Sequence, residues 1–308
     1  MLLPSAPFAA PPPAQIARAL AEETFIAYVP RSFSTLHGAV QPATAAGIRE
    51  DLRLLRPHFS GLITYGTDSG QEAIPGLAVA AGFRAILIGV WNPADRGELD
   101  RAIALAERYP GQVVGLVLGN EGLFWKRYRA DDLRSAAAYV RARLPDIALG
   151  SSEPFAVYLD SPDAATLLEM DMLLPNIHPR FESWFRADNI EQAVDFVTQV
   201  LARLRALTPR PVLIKETGLP SAPAAQGFSE ARQAEFWSLL VQRIPRGPTQ
   251  NLAGFEAFDA PWKPRELEDE FGRLEPSEAH WGLFRHDGTA KPALTHFSPD
   301  AAARPAEP

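Results

Sequence analysis

Two carboxylates stand where hydrophobic stretches of the chain stop. VVGLVLGNEG, Val113–Gly122, is aliphatic apart from Gly115 and Gly119 until it reaches Asn120-Glu121. PVLIKE, Pro211–Glu216, ends in the same way on Lys215-Glu216. A charge at the end of a buried strand is costly unless it is paired or used. Two glutamates held at a fixed gap can divide one reaction between them. The protonated one gives its proton to a departing oxygen, and the ionised one attacks the carbon that the oxygen leaves. A gap of about 5–5.5 Å gives a covalent intermediate and retention, whereas a wider gap admits a water and gives inversion. An amide beside the acid, as at Asn120, can bind a neighbouring hydroxyl in the transition state.

The elements that must hold such a gap are legible as an alternation. Strands are expected at 24–29, 61–65, 84–90, 113–119, 146–150, 171–177, 211–216 and 251–258. Between them lie helical stretches at about 43–56, 71–81, 98–109, 131–143, 162–169, 189–207 and 228–243. The helix at 189–207 is the cleanest: Ile190, Ala193, Val194, Val197, Val200, Leu201 and Leu204 recur at three and four. Strand–helix alternation predicts a parallel sheet. Eight units favour closure into a single-domain (β/α)8 TIM barrel, α/β in class, over residues 24–297. A doubly wound open sheet is the runner-up, but neither G-x-G-x-x-G nor G-x-x-x-x-G-K-[ST] is present. The Pro/Ala-rich N-terminal extension, 1–23, and the tail, 298–308, are expected to be loosely attached.

A barrel carries its site at the C-terminal ends of its strands. Those ends are polar here: Tyr28; Tyr65 and Asp68; Trp91-Asn92; Asn120-Glu121; Asn176 and His178; Lys215-Glu216-Thr217; and FEAFDAPWK, Phe255–Lys263. Tyr65, Trp125, Phe181, Trp184 and Trp262 follow strand ends and could stack on pyranose rings, although such aromatics also pack against loops. Glu121 and Glu216 could equally be ion-pair residues at a barrel rim. The acidic run ELEDEFGRLE, 266–275, reads as a solvated loop.

Composition excludes several classes. The chain has 308 residues, 46% hydrophobic and 22% charged, with a net charge of −7 and no basic run, which argues against a nucleic-acid partner. No apolar stretch is long enough for a membrane span. The start lacks a basic n-region and is broken by prolines, so no signal peptide is expected. The compartment stays open: periplasmic or extracellular if a leader has been removed, otherwise cytoplasmic. With no cysteine there are no disulfides, and the six histidines show no metal-ligand spacing, so neither metal nor other cofactor is expected. Ser151-Ser152 lie outside any G-x-S-x-G, which argues against a serine hydrolase. A barrel lyase or isomerase of phosphorylated sugars would favour a Gly-rich phosphate site after strands seven and eight, and the sequence there does not look like one.

The ordered motifs resemble glycoside hydrolase family 17, the β-1,3-glucanase and glucanosyltransferase family of clan A. KETGLPSAP, 215–223, is similar to that family's E-T-G-W-P-S; GVWN, 89–92, to its G-V-P-N; and LGNEG, 118–122, to its V-G-N-E-V. FEAFDAPWK followed by EAHWGLF is similar to its F-A-M-F-D-E-x-x-K … E-R-x-F-G-L-F. The resemblance implies Glu121 as acid/base, Glu216 as nucleophile, Asn120 at a sugar hydroxyl and Lys263 with Glu278 as an auxiliary pair. It implies a retaining enzyme acting on a β-glucan polysaccharide or oligosaccharide, expected to be a monomer, with Tyr28, Tyr65, Asn92, His178 and the aromatics above as substrate contacts. His178 stands where plant members carry Tyr and is read as orienting Glu216. Ala260 replaces a family glutamate, which leaves Glu278 as the expected acidic neighbour of Lys263, with Glu256 as the alternative. Leu219 replaces a common Trp and is expected to reshape a subsite. A transglycosylase using the same residues and an inactive carbohydrate-binding barrel are the alternatives.

Overall fold

The computed structural model describes residues 13–297. Its eight parallel barrel strands are β1 (Phe25–Ala27), β2 (Gly61–Ile63), β3 (Ala85–Val90), β4 (Val113–Asn120), β5 (Ala148–Pro154), β6 (Leu174–Asn176), β7 (Val212–Ile214) and β8 (Gln250–Gly254). Each pairs with the next, and β8 returns to β1 through Phe25 opposite Ala253. Between β6 and β7 the ladder is thinner, made by Leu173 opposite Val212 and Asn176 opposite Glu216. The strands are apolar on both faces because both faces are covered. The expected barrel is therefore the observed fold.

Two apolar layers follow from this. Phe25, Ile63, Leu87, Val114, Val117, Met172, Leu174 and Leu213 fill the barrel interior. Alternate residues such as Ile26, Leu62, Ile86, Leu116 and Ile214 face the surrounding helices. These are α2 (Ala45–Leu55), α3 (Ile74–Ala80), α4 (Arg96–Arg108), α5 (Ala130–Arg141), α6 (Phe155–Asp160), α7 (Ala164–Leu168), α8 (Ile190–Leu207) and α9 (Glu230–Arg243). The α8 stripe is buried as its spacing predicts.

Two expectations are corrected and one unexpected element is found. The N-terminal extension is not loose over its described part. Helix α1 (Ala14–Glu22) drives Ile16, Ala19 and Leu20 into the interior layer and so plugs the end of the barrel opposite the strand C-termini. Asn251 Nδ2 secures it by donating to the Leu20 and Glu23 carbonyls. Residues 1–12 and the tail, 298–308, lie outside the described residues. Second, the acidic run begins in a helix, α10 (Lys263–Phe271), started by a proline in its first turn and ended at Gly272 with φ +64°. Third, a hairpin of Ser34–Leu36 and Ala39–Gln41, absent from the sequence reading, folds toward α10, where Thr35 bonds Glu266.

Candidate active site

The strand β4 does not end as a regular strand. Its register against β5 shifts between Val117 and Asn120. Gly119 then takes φ +83° and Glu121 φ +54°. A non-glycine residue in the left-handed region stores strain, of order 1–3 kcal/mol, that surrounding contacts must hold. They are present. Glu121 N–H donates to the Ser152 carbonyl at 2.7 Å. Tyr128 lies so close to Gly119 and Gly122 that a Cβ on either would fall within 2.0 Å of it. Gly122 N–H donates to the Tyr128 hydroxyl at 3.1 Å, and that hydroxyl donates to Glu153 Oε1 at 3.0 Å. Glu153 also accepts from the Leu123 and Phe124 amides at 2.9 and 3.2 Å. Burial pushes Glu153 up to about 7, against the pull of those three donors and with a further push from Glu121.

The resulting bulge aims Glu121 at the strand ends. Glu121 Oε1 accepts from Asn176 Nδ2 at 2.8 Å, and Oε2 accepts from Trp125 Nε1 at 3.3 Å. Asn176 is also the β6 residue that faces Glu216 across the ladder. The two glutamates are thus linked through Asn176, although β5 and β6 lie between their strands.

Glu216 is held differently. Its Oε1 accepts from Lys215 Nζ at 2.6 Å and from the Tyr65 hydroxyl at 2.9 Å. His178 Nε2 lies 3.5 Å from Oε2. Burial opposes ionisation, but the Lys215 ammonium and the His178 contact outweigh it and hold Glu216 well below the carboxylate range. His178 is positioned edge-on by Phe181, Phe255 and Trp281, in keeping with its reading as an orienting partner. Asn120 Oδ1 accepts from Lys215 Nζ at 2.7 Å, which ties Asn120 to the same cluster.

The partner of Lys263 departs from expectation. Its Nζ contacts both oxygens of Glu256 at 2.7 Å. Glu278 instead accepts from Trp281 Nε1 at 3.1 Å, and its other oxygen is buried without a hydrogen bond. Burial raises Glu278, against the pull of Lys263, Arg180 and His178. The bonded partner of Lys263 is therefore Glu256, seven residues earlier in the motif. Ala260 is buried, and its backbone bonds Ala279. Leu219 is buried too and packs in the core.

The expected substrate contacts divide. Tyr65 stands in the cluster. Trp125 is 47% exposed beside Glu121, and Phe181 is 54% exposed beside His178. Tyr28 is corrected: it is wholly buried and donates to Asp51 at 2.9 Å, in the layer between barrel and helices. Trp184 packs edge-on against Phe196 of α8, and Trp262 against Phe33; neither is bonded to the carboxylate cluster. Asn92 closes its own turn, with Oδ1 accepting from Ala94 N–H. Sequence reasoning placed Trp91 at a strand end but not among the substrate contacts, and it is 47% exposed with Arg127 stacked 4.1 Å over its ring. Sequence reasoning missed Glu153 and the role of Lys215. Trp91 could have been included from its place in GVWN. Glu153 offered less signal, since an acidic residue before proline reads as a turn.

No group of three or more His, Cys, Asp or Glu side chains among the described residues could hold a metal ion. No described helix is long and apolar enough to cross a membrane.

The sequence profile of the BtgE/BtgC glycoside hydrolase domain matches residues 26–282. The chain belongs to that family. The family-17 resemblance read from the strand-end motifs is borne out with it, and the protein is a glycoside hydrolase. A glucan 1,3-β-glucosidase of Arthroderma benhamiae is 27% identical over 268 residues, 80% of this chain and 83% of that protein. One from Saccharomyces cerevisiae is 25% identical over 273 residues, 79% and 83% of the two chains. The family-17 β-1,3-glucanosyltransferase of Rhizomucor miehei shares the fold with TM-score 0.66 at 20% identity, covering 89% of this chain and 97% of that one. An endo-laminarinase from Formosa does so with TM-score 0.68 at 22% identity, covering 89% and 86%.

Proposed function

We propose that this glycoside hydrolase acts on β-1,3-glucan or related β-gluco-oligosaccharides with retention, through Glu216 as nucleophile and Glu121 as acid/base. The observation that carries the assignment is the contrast between the two carboxylates. Glu216 has a lysine and a tyrosine hydroxyl on one oxygen and a histidine near the other, so it stays ionised. Glu121 is bonded by an amide and an indole, both neutral, as suits a group that must gain and lose a proton. The names of the curated relatives favour the 1,3-linked glucan.

Glu216 attacks the anomeric carbon while Glu121 protonates the departing oxygen. Glu121 then takes a proton from the incoming hydroxyl as the glycosyl ester breaks. If that hydroxyl is water the enzyme hydrolyses; if it belongs to a second glucan it transfers. Exposed Trp91, Phe124, Trp125 and Phe181 near the strand ends offer stacking faces for an acceptor sugar, which favours transfer as the second reading. Incubation with linear β-1,3-gluco-oligosaccharides of defined length tests both. Shorter products alone mean hydrolysis, and products longer than the substrate mean transfer. An absence of any new product from all lengths tried would overturn the substrate assignment.

A further inference from the structure

Lys215 is a buried cation that the two-glutamate scheme does not use. Its side chain is 1% exposed, its Nζ lies between Glu216 Oε1 and Asn120 Oδ1, and it sits 3.8 Å from the Tyr65 ring centroid. A lysine in such a place is costly. Burial draws it below the ordinary ammonium value, and Glu216, then Glu121, oppose the fall. Glu216 already has Tyr65 and His178 as donors, so a further donor is not needed merely to satisfy a buried carboxylate.

The contacts are unequal between the two oxygens. Oε1 takes both short bonds, at 2.6 and 2.9 Å, whereas Oε2 has only the looser histidine contact at 3.5 Å. Oε2 is therefore the oxygen left to attack, and Oε1 becomes the carbonyl oxygen of the glycosyl ester. Resting on Glu216 as nucleophile, we propose that Lys215 is a catalytic residue of the second half-reaction, polarising the ester through Oε1 and stabilising the carboxylate as it departs.

In the first half, Oε2 bonds to the anomeric carbon, the glycosidic C–O bond breaks, and Glu121 gives its proton to the leaving oxygen. In the second, an acceptor hydroxyl bonds to the anomeric carbon and its proton passes to Glu121. The C–Oε2 bond breaks, and its electron pair returns to Glu216, where the charge re-forms against Lys215. Between the two steps the ammonium loses its counter-charge, and Asn120 Oδ1 and the Tyr65 ring retain it. An ammonium at Oε1 also weakens the carboxylate as a nucleophile. Lys215 thus slows the first step and speeds the second. The contact with Oδ1 leaves the Asn120 amide nitrogen as the group available to donate to a sugar hydroxyl.

The test uses 2,4-dinitrophenyl β-laminaribioside, whose leaving group needs no acid, with Lys215→Met and Lys215→Gln. Gln can still donate a hydrogen bond but carries no charge, and it guards against a Met variant that does not fold. In both variants kcat should fall about 100-fold, the scale of removing one donor from a developing anion. The ratio kcat/KM, which reports the first half, should change by less than about tenfold, and the glycosyl ester should accumulate in intact-protein mass spectra. Equal losses in kcat and kcat/KM, with no adduct, would overturn the proposal. Glu216→Ala with azide is the control. If azide restores no turnover there, the nucleophile assignment fails and the proposal falls with it.

Discussion

Glu121 and Glu216 both stand at strand ends in one barrel mouth, yet they are built by different means. Glu216 leaves a regular strand end, and its state is set by side chains: a lysine, a tyrosine and a histidine. Glu121 leaves a bulge, and its position is set by backbone: a left-handed φ, two glycines seated against Tyr128, and three donors gathered on Glu153. A nucleophile has to remain an anion, and nearby cations achieve that directly. A proton-transfer group cannot sit on a cation without losing its proton too readily, so it is aimed by geometry and bonded by neutral groups.

The largest effects should come from the glutamates themselves. Glu216→Ala should lose about 10⁴-fold or more in kcat, and azide should restore turnover of an activated β-glycoside as the α-glycosyl azide. Glu121→Ala should lose roughly 10²–10⁴-fold on substrates with poor leaving groups and much less on activated ones. Azide should rescue it to the β-glycosyl azide. An α product from Glu121→Ala would exchange the two roles and dissolve the contrast.

Glu153 sharpens the comparison because its hydrogen bonds reach Glu121 through the loop rather than directly. Glu153→Ala leaves two buried amides without an acceptor, so Glu121 should lose its aim. Roughly 10²-fold should be lost with poor leaving groups and little with 2,4-dinitrophenyl glycosides. A uniform loss across leaving groups would mean general loosening rather than misplacement of the acid. Glu153 also makes a pH prediction. Its carboxyl is raised to about 7 by burial. Below the ordinary glutamate value, native and unfolded chains are both protonated there. Between that value and about 7 the native state keeps a proton that the unfolded chain has released, so this group makes stability fall as pH rises. Glu153→Gln, which never ionises, should therefore gain stability relative to the parent as pH rises from 5 to 8, on the order of 3 kcal/mol at most, read as a widening Tm difference. A Tm difference that stays constant over that range would show that Glu153 does not titrate there.

On the Glu216 side the removable donor is Tyr65. Tyr65→Phe takes one of two bonds from Oε1 and leaves Lys215 in place. A bond to a charged group is worth about 1.5–3 kcal/mol, so kcat should fall roughly tenfold or somewhat more. A loss as large as that of Glu216→Ala would mean that the tyrosine, and not the lysine, sets the nucleophile.

The parts legible in the sequence were those with a period or an order. Eight apolar stretches separated by helical ones specify the barrel, and the carboxylates were visible because they interrupt buried strands. What was hidden depended on approach in three dimensions. Nothing local marks Glu153 as the acceptor for a loop thirty residues earlier. Tyr28 lies at a strand end like Tyr65, but it faces the helices and finds Asp51. Helix α1 looked like part of a Pro/Ala-rich tail because its three buried apolar residues acquire meaning only against the open end of a barrel.

The smallest effect concerns Ala260, and it bears on how far the Glu121–Glu216 contrast extends into the surrounding shell. From the sequence, the missing glutamate leaves Lys263 short of one acidic neighbour, so its charge would be felt by the catalytic pair and restoring a carboxylate would shift the pH–rate profile. In the structure Lys263 already grips both oxygens of Glu256 at 2.7 Å. Burial pushes Glu256 up and Lys263 opposes it, while Glu256 together with Glu278 and Glu216 keeps Lys263 charged against its own burial. A glutamate at 260 would have to compete for an ammonium that is already paired, from a position where Ala260 is only 6% exposed. Ala260→Glu should thus leave both limbs of the kcat/KM profile within error of the parent and cost stability instead, about 1–3 kcal/mol for crowding a packed site. Glu256→Gln should do what Ala260→Glu does not: with its bonded carboxylate gone, Lys263 brings an unbalanced positive charge to the mouth, and the basic limb should move downward. If instead Ala260→Glu moves the basic limb and Glu256→Gln leaves it alone, the charge of Lys263 is governed from position 260, and the pairing with Glu256 has no bearing on the catalytic carboxylates.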